Sequence, residues 1–98
     1  MTGQGETVRV HLWVQGRVQG VGFRAFVQQN ALQIGVTGWV RNVGYDTVEA
    51  VAEGPEEQID AFLRMMKRGP LSSRVNESRE EWEPVTGEFS AFKVKFSL

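Results

Sequence analysis

The stretch Gly16-Arg-Val-Gln-Gly-Val-Gly-Phe-Arg24 decides how the rest of the chain is read. Before it, Val8, Val10, Leu12 and Val14 alternate with Arg9, His11, Trp13 and Gln15, the period of a strand with one buried face. After it, Phe23, Phe26, Val27, Asn30, Ala31 and Ile34 fall on one helical stripe, with Gln28, Gln29 and Gln33 on the polar side. A glycine-rich turn between a strand and a helix N-terminus aims several backbone N–H groups at one place. The helix dipole adds to that positive field, so an anion is the natural occupant. Arg24 stands in the first helical turn, where a cation gains nothing from the dipole. A bound anion explains it better than helix stability does.

Outward from this stretch, residues 1–7 read as a loose tail and 8–98 as a single domain, since 98 residues leave no room for a second core. Gly35 ends the first helix. Val36, Gly38 and Val40 mark a second strand running to Asn42, and a turn at Val43 to Asp46 leads to a third, where Val48, Ala50 and Ala52 share a face. Gly54-Pro55-Glu56-Glu57 opens a second helix, with proline expected at its first position and acids in its first turn. Ile59, Phe62, Leu63 and Met66 form its buried stripe, Met65 is core or near it, and Gly69-Pro70 stops it. Arg74 to Glu83 is extended with charge on both faces, as an edge strand is. Phe92, Val94 and Phe96 alternate with Lys93, Lys95 and Ser97 in a last short strand.

This order predicts an α+β, ferredoxin-like sandwich, with two helices on one face of a mainly antiparallel five-stranded sheet. A right-handed crossover makes strands one and two parallel, with strand three between them. Their C-terminal ends then share one edge of the sheet, which brings the glycine loop and Asn42 within about 10 Å of each other. Asn42 has the parity of Val40, so it is expected on the helix side, with Arg24.

Composition narrows the classes. The chain is 41% hydrophobic and 23% charged, ordinary for a globular domain. No run approaches the roughly 18 apolar residues of a membrane helix. No basic start followed by an apolar stretch marks a secretory leader. The absence of cysteine removes disulfides and thiolate chemistry and fits a cytoplasmic protein. His11, the only histidine, lies opposite the core valines and reads as a surface residue; with no second histidine or cysteine, no metal is expected. Between Thr7 and Tyr45 there is no acid, while Arg9, Arg17, Arg24 and Arg41 all lie there; ten acids follow between Asp46 and Glu83. The asymmetry reads as carboxylates kept away from an anion pocket.

Gly16 to Arg24, with Gly38-Trp-Val-Arg-Asn42 at this spacing, closely resembles the acylphosphatases, and Val48-Glu49-Ala50, Glu53-Gly54 and Gly69-Pro70 continue the match. The resemblance covers residues 8 to 97. No Gly-Lys-Ser/Thr follows the loop, as a Walker loop would require, and the glycine spacing is not that of a dinucleotide fingerprint. What it implies is hydrolysis of the carboxyl–phosphate bond of acyl phosphates, without metal or organic cofactor. It implies phosphate bound by Arg24 with the loop Gln19, Gly20, Val21, Gly22 and Phe23, and an attacking water oriented by Asn42. Inorganic phosphate would be product and inhibitor. The pocket segment holds no acid or histidine as general base; an activated substrate with a good leaving group makes positioning and charge stabilisation sufficient. The hairpin after Asn42 departs from the family's frequent Asp-Gly, having Gly44-Tyr45-Asp46.

Two rivals stand beside this expectation. Similar domains begin the hydrogenase-maturation carbamoyltransferases, which act on carbamoyl phosphate; a chain ending at Leu98 without zinc-finger cysteines favours the stand-alone enzyme. A nucleic-acid module would use Trp13 and Trp39 as stacking platforms, but the basic-Gly-aromatic signature is absent and Glu49 and Glu53 would repel phosphates. A monomer without nucleic-acid or membrane partners is expected.

Overall fold

The alternating valines and leucine build β1 (Thr7–Arg17), whose Val10, Leu12 and Val14 are fully buried. The computed structural model describes residues 5–98, so the expected tail lies outside the described residues as far as Gln4. β1 takes in Thr7, and the carbonyl of Glu6 accepts from the N–H of Glu56. Next come α1 (Phe23–Ile34), β2 (Thr37–Val43), β3 (Thr47–Pro55), α2 (Glu56–Arg68), β4 (Arg74–Glu83) and β5 (Phe92–Val94).

The sheet order is β4-β1-β3-β2-β5. β1 and β2 both run antiparallel to β3 and so parallel to each other, as the handedness rule requires. Val10 faces Ala52, Leu12 faces Ala50 and Val14 faces Val48, which makes one apolar surface of the two central strands. The small alanines leave room for the helices: Val27 and Ala31 of α1 and Ile59, Phe62 and Met66 of α2 are fully buried in the same core. Met65 is buried as well. Gly69 ends α2 at φ 69°, and a Cβ there would stand 2.7 Å from the Phe23 ring. The second helix therefore stops against the residue that begins the first.

The sheet is mainly antiparallel, as expected, with one parallel pair, β5 against β2, in which Phe92 stands opposite Gly38 and Val94 opposite Val40. Two details differ from the sequence reading. β5 ends at Val94, and Phe96 is 95% exposed. Lys95 still donates to the Val40 carbonyl and Leu98 to that of Asn42, but the residues between them leave the ladder. Alternation alone does not distinguish a paired edge from a segment touching it at two points. Pro55 is also not the first helical residue: at φ −58° and ψ 147° it is the extended cap that closes β3.

The sheet face away from the helices is covered by ion pairs rather than left bare. Arg9 donates to Glu53 and Glu83, both at 2.9 Å, and Arg41 to Glu49 at 2.7 Å. His11, read as a surface residue, is stacked on Trp13, with its ring nitrogens 2.6 Å from Glu49 and 2.8 Å from Glu83. Arg79 lies over Trp13, and Arg41 and Lys95 lie against Trp39, so the aromatic faces are occupied by the chain's own cations. The arginines of the acid-free stretch thus have three different fates. Arg9 and Arg41 pair with the later acids on this face, Arg17 lies opposite Arg74 at the end of β1, and Arg24 alone reaches the helix-side cavity.

Candidate active site

Val18 and Phe23, at 1% and 2% exposure, pin both ends of the loop between β1 and α1 into the core. The residues between them are held at the surface. Gly22 caps α1 at φ 76°, a conformation costly for any residue with a Cβ, although a Cβ there would touch nothing. No side chain caps this helix and its first turn contains no acid, whereas α2 carries Glu56 and Glu57 in the same place. Among the described residues, the first-turn N–H groups of α1 have no side-chain acceptor at the cap and the positive end of the dipole has no acid in that turn.

Arg24 adds a full charge to that end. Among the described residues no carboxylate lies within ion-pairing distance of it. It lines a cavity of about 300 Å³ with Gln19, Gly20, Gly22, Phe23, Asn42, Val18, Ala25, Gln28 and Val94. Among the described residues, the wall contains an arginine, amides, backbone and apolar groups, and no carboxylate or imidazole. Asn42 reaches it from the end of β2, where it pairs with Val48 and its carbonyl accepts from Leu98 N–H at 2.8 Å. Past Arg24 and Val94 the cavity meets a groove bounded by Arg41, Lys93, Lys95 and Phe96.

Of the residues singled out by sequence, Gln19, Gly20, Gly22, Phe23, Arg24 and Asn42 meet at this cavity; Val21 does not line it. Val21 packs instead against the core, and its carbonyl accepts from Ser72 Oγ at 3.4 Å. The side-chain amide of Gln19 donates to carbonyls at the β2–β3 turn. Val18, Ala25, Gln28 and Val94 line the cavity outside the expected set. Gln28 is one turn beyond Arg24 on the same helix face, and its Nε2 donates to the Phe92 carbonyl at 3.2 Å. Val94 is brought in by the parallel pairing of β5, which no local pattern announces.

The carboxylates on the opposite face are held ionised. Burial pushes Glu49 up, but hydrogen bonds from Arg41 and His11 more than reverse this and leave it below the usual range. Burial also acts against Glu53, which is 5% exposed, yet the N–H of Thr86, Arg9 and the N–H of Gly87 bring it below its ordinary value. Hydrogen bonds from His11 and then Arg9 lower Glu83.

This architecture has close counterparts. A sequence model of the acylphosphatase family matches residues 10–94. The acylphosphatase of Pelotomaculum thermopropionicum is 46% identical over 88 residues, covering 90% of this chain and 96% of that one. The crystal structure of acylphosphatase from Bacillus subtilis superposes with a TM-score of 0.85 at 35% identity, covering 90% of this chain and 98% of that one. HypF from T. kodakarensis matches at a TM-score of 0.78 and 36% identity over 90% of this chain, which corresponds to 12% of that protein. With the glycine loop, the uncapped helix and the strand end that meet at one cavity, these likenesses place the chain in the acylphosphatase family.

Proposed function

We propose that this chain hydrolyses acyl phosphates to a carboxylate and inorganic phosphate. In this reading the phosphoryl group is held by Arg24 and the backbone N–H groups of the Gln19–Phe23 loop, and Asn42 orients the attacking water. The observation that carries it is the meeting, in one cavity, of an uncapped helix N-terminus, an arginine without a carboxylate partner and an amide side chain from another strand. Water attacks phosphorus, the P–O bond to the acyl group breaks, and the electron pair leaves on the carboxylate. A carboxylate is a stable anion and needs no general acid. The water's proton passes to a phosphate oxygen, consistent with a wall that offers no acid or imidazole. The protein supplies orientation and fixed positive charge where negative charge shifts.

The reading includes no metal or cofactor, since no carboxylate or imidazole in the wall is available to hold a cation. Inorganic phosphate, as product, occupies the same cradle and inhibits competitively. The reading takes the chain as a cytoplasmic monomer without nucleic-acid or membrane partners; the tryptophan faces on which a nucleic acid would stack are taken by Arg41, Arg79 and Lys95. A second reading is the alternative that the sequence resemblance left open: a carbamoyl-phosphate-handling domain. Phosphate release from an aromatic acyl phosphate and from carbamoyl phosphate, each with a chelator present, separates the two. Faster release from the aromatic substrate, unaffected by chelator, supports the proposal. Release from carbamoyl phosphate alone supports the second reading, and release from neither refutes both.

A further inference from the structure

Gln19 sits in the anion loop, yet its side chain serves a different element. Its Nε2 donates to the carbonyls of Thr47 at 2.9 Å, Gly44 at 3.2 Å and Val43 at 3.3 Å. An amide nitrogen has two hydrogens for these three acceptors, so one hydrogen is shared. The three carbonyls bracket the turn that directly follows Asn42. Gln15 Nε2 and the Gly16 N–H also reach this turn, both at Asp46, but they come from β1 rather than from the loop. Among the described residues, Gln19 is the only loop side chain bonded to the turn.

Gly44 stands at φ 62°, and its N–H donates to the Leu98 carbonyl at 3.0 Å, which ties the turn to the segment after β5 and not to the anion loop. The hairpin ladder fixes β2 against β3 but does not fix the turn against the anion loop, which belongs to a strand on the far side of β3. We infer that Gln19 is a positioning residue: through the carbonyls of Val43, Gly44 and Thr47 it sets the distance and angle between Asn42 and the phosphate cradle. The inference rests on the reaction proposed above, in which Asn42 holds the water and the loop holds the phosphoryl group. A displacement near 1 Å between two such groups costs about a hundredfold in rate. Phosphate affinity depends on the loop N–H groups and Arg24 and is independent of where the turn sits.

Gln19→Met keeps the length and neutrality of the side chain and removes its donors. The expected result is kcat lowered about 10- to 100-fold with the Ki of inorganic phosphate unchanged, a split that general destabilisation does not produce. The same substitution in an Asn42→Ala background is expected to cause no further loss of kcat, because the group it positions is already gone. Equal losses in both backgrounds, phosphate affinity falling in step with kcat, or wild-type turnover in Gln19→Met overturns the inference while leaving the reading of the site intact. An Asn42→Ala enzyme with full turnover overturns the inference together with that reading. Gln19→Asn retains the amide one methylene short, and carries the same cycle should Gln19→Met fail to fold.

Discussion

Replacing Arg24 with alanine should weaken inorganic phosphate binding about 30-fold and reduce turnover by more. The side chain lines the cavity, is partly exposed, and has no carboxylate partner among the described residues. A unit charge about 4 Å from a phosphate oxygen contributes ~4 kcal/mol at an effective dielectric constant near 20. Partial access of water reduces this to about 2 kcal/mol, the 30-fold above. Loop N–H groups remain, so binding weakens without vanishing. Loss of one preorganised donor to a transition state costs about 10²–10³ in kcat, so kcat/KM falls further than affinity does. Thermal melts read the binding part directly. At 100 times its Kd, phosphate stabilises the native enzyme by about 2.7 kcal/mol, a rise in Tm of about 10 °C or more for a domain of this size. At the same concentration the variant gains about 0.9 kcal/mol, or about 5 °C. Arg24→Lys should recover only part, since an ammonium cannot offer a planar fork to two oxygens. The Tm without phosphate should stay where it was, because Arg24 lies off the buried stripe of α1. An unchanged phosphate shift with unchanged turnover would refute the assignment, and a Tm that collapsed without phosphate would make the residue structural.

Asn42→Ala should lose turnover and keep both phosphate affinity and Tm; affinity lost in proportion to turnover would assign Asn42 to the anion instead. Glu53→Gln should lower stability by about 2 kcal/mol, seen in denaturant melts, because charged acceptors of this kind contribute about 1.5–3 kcal/mol; kcat/KM should not change, as Glu53 lies on the far face of the sheet, and a fall in activity at full folding would contradict this. Glu49, Glu53 and Glu83 are all depressed in the folded state, so their contribution is present above about pH 4.3, where an unfolded glutamate ionises, and is lost as pH falls through their lower folded values. Tm should therefore drop steadily below about pH 5, and a flat profile down to about pH 3 would show that these carboxylates are not linked to folding.

The helix and strand periods announced β1, α1 and α2 because each buries one face, and burial writes a period of 2 or 3.6 into the chain; β3 is buried on both faces, and only its helix-side Val48, Ala50 and Ala52 showed the pattern. The handedness of the β1-α1-β2 crossover then brought Asn42 to Arg24 without any local signal joining them. The ion pairs on the far face were not legible in this way. Arg9, Arg41, Glu49, Glu53 and Glu83 sit at polar positions of alternating strands, and polar positions carry no mark of their partners. For that reason the acid-free stretch around Arg9 and Arg41 read as an anion pocket, although both arginines neutralise acids from β3 and β4. The last strand was over-extended to Phe96 because its parallel pairing with β2 ends without a break in the alternation. The side chain of Gln19 was hidden for a different reason. The loop's glycines identify a cradle built of backbone, and nothing in that pattern says what the remaining side chain does.

The strand that launches the loop has no partner close to it in sequence. β1 is flanked by β3 and β4, both drawn from later in the chain. Long segments must be closed before those pairings stabilise anything, a topology that slows folding relative to chains whose contacts are local. The cradle therefore has no local existence. A nascent chain synthesised only through Arg24 contains every residue of the loop and none of its geometry, so it cannot capture phosphate early. During refolding, recovery of turnover and the partial burial of Trp13 and Trp39 share one time course, because the loop closes only when the sheet does.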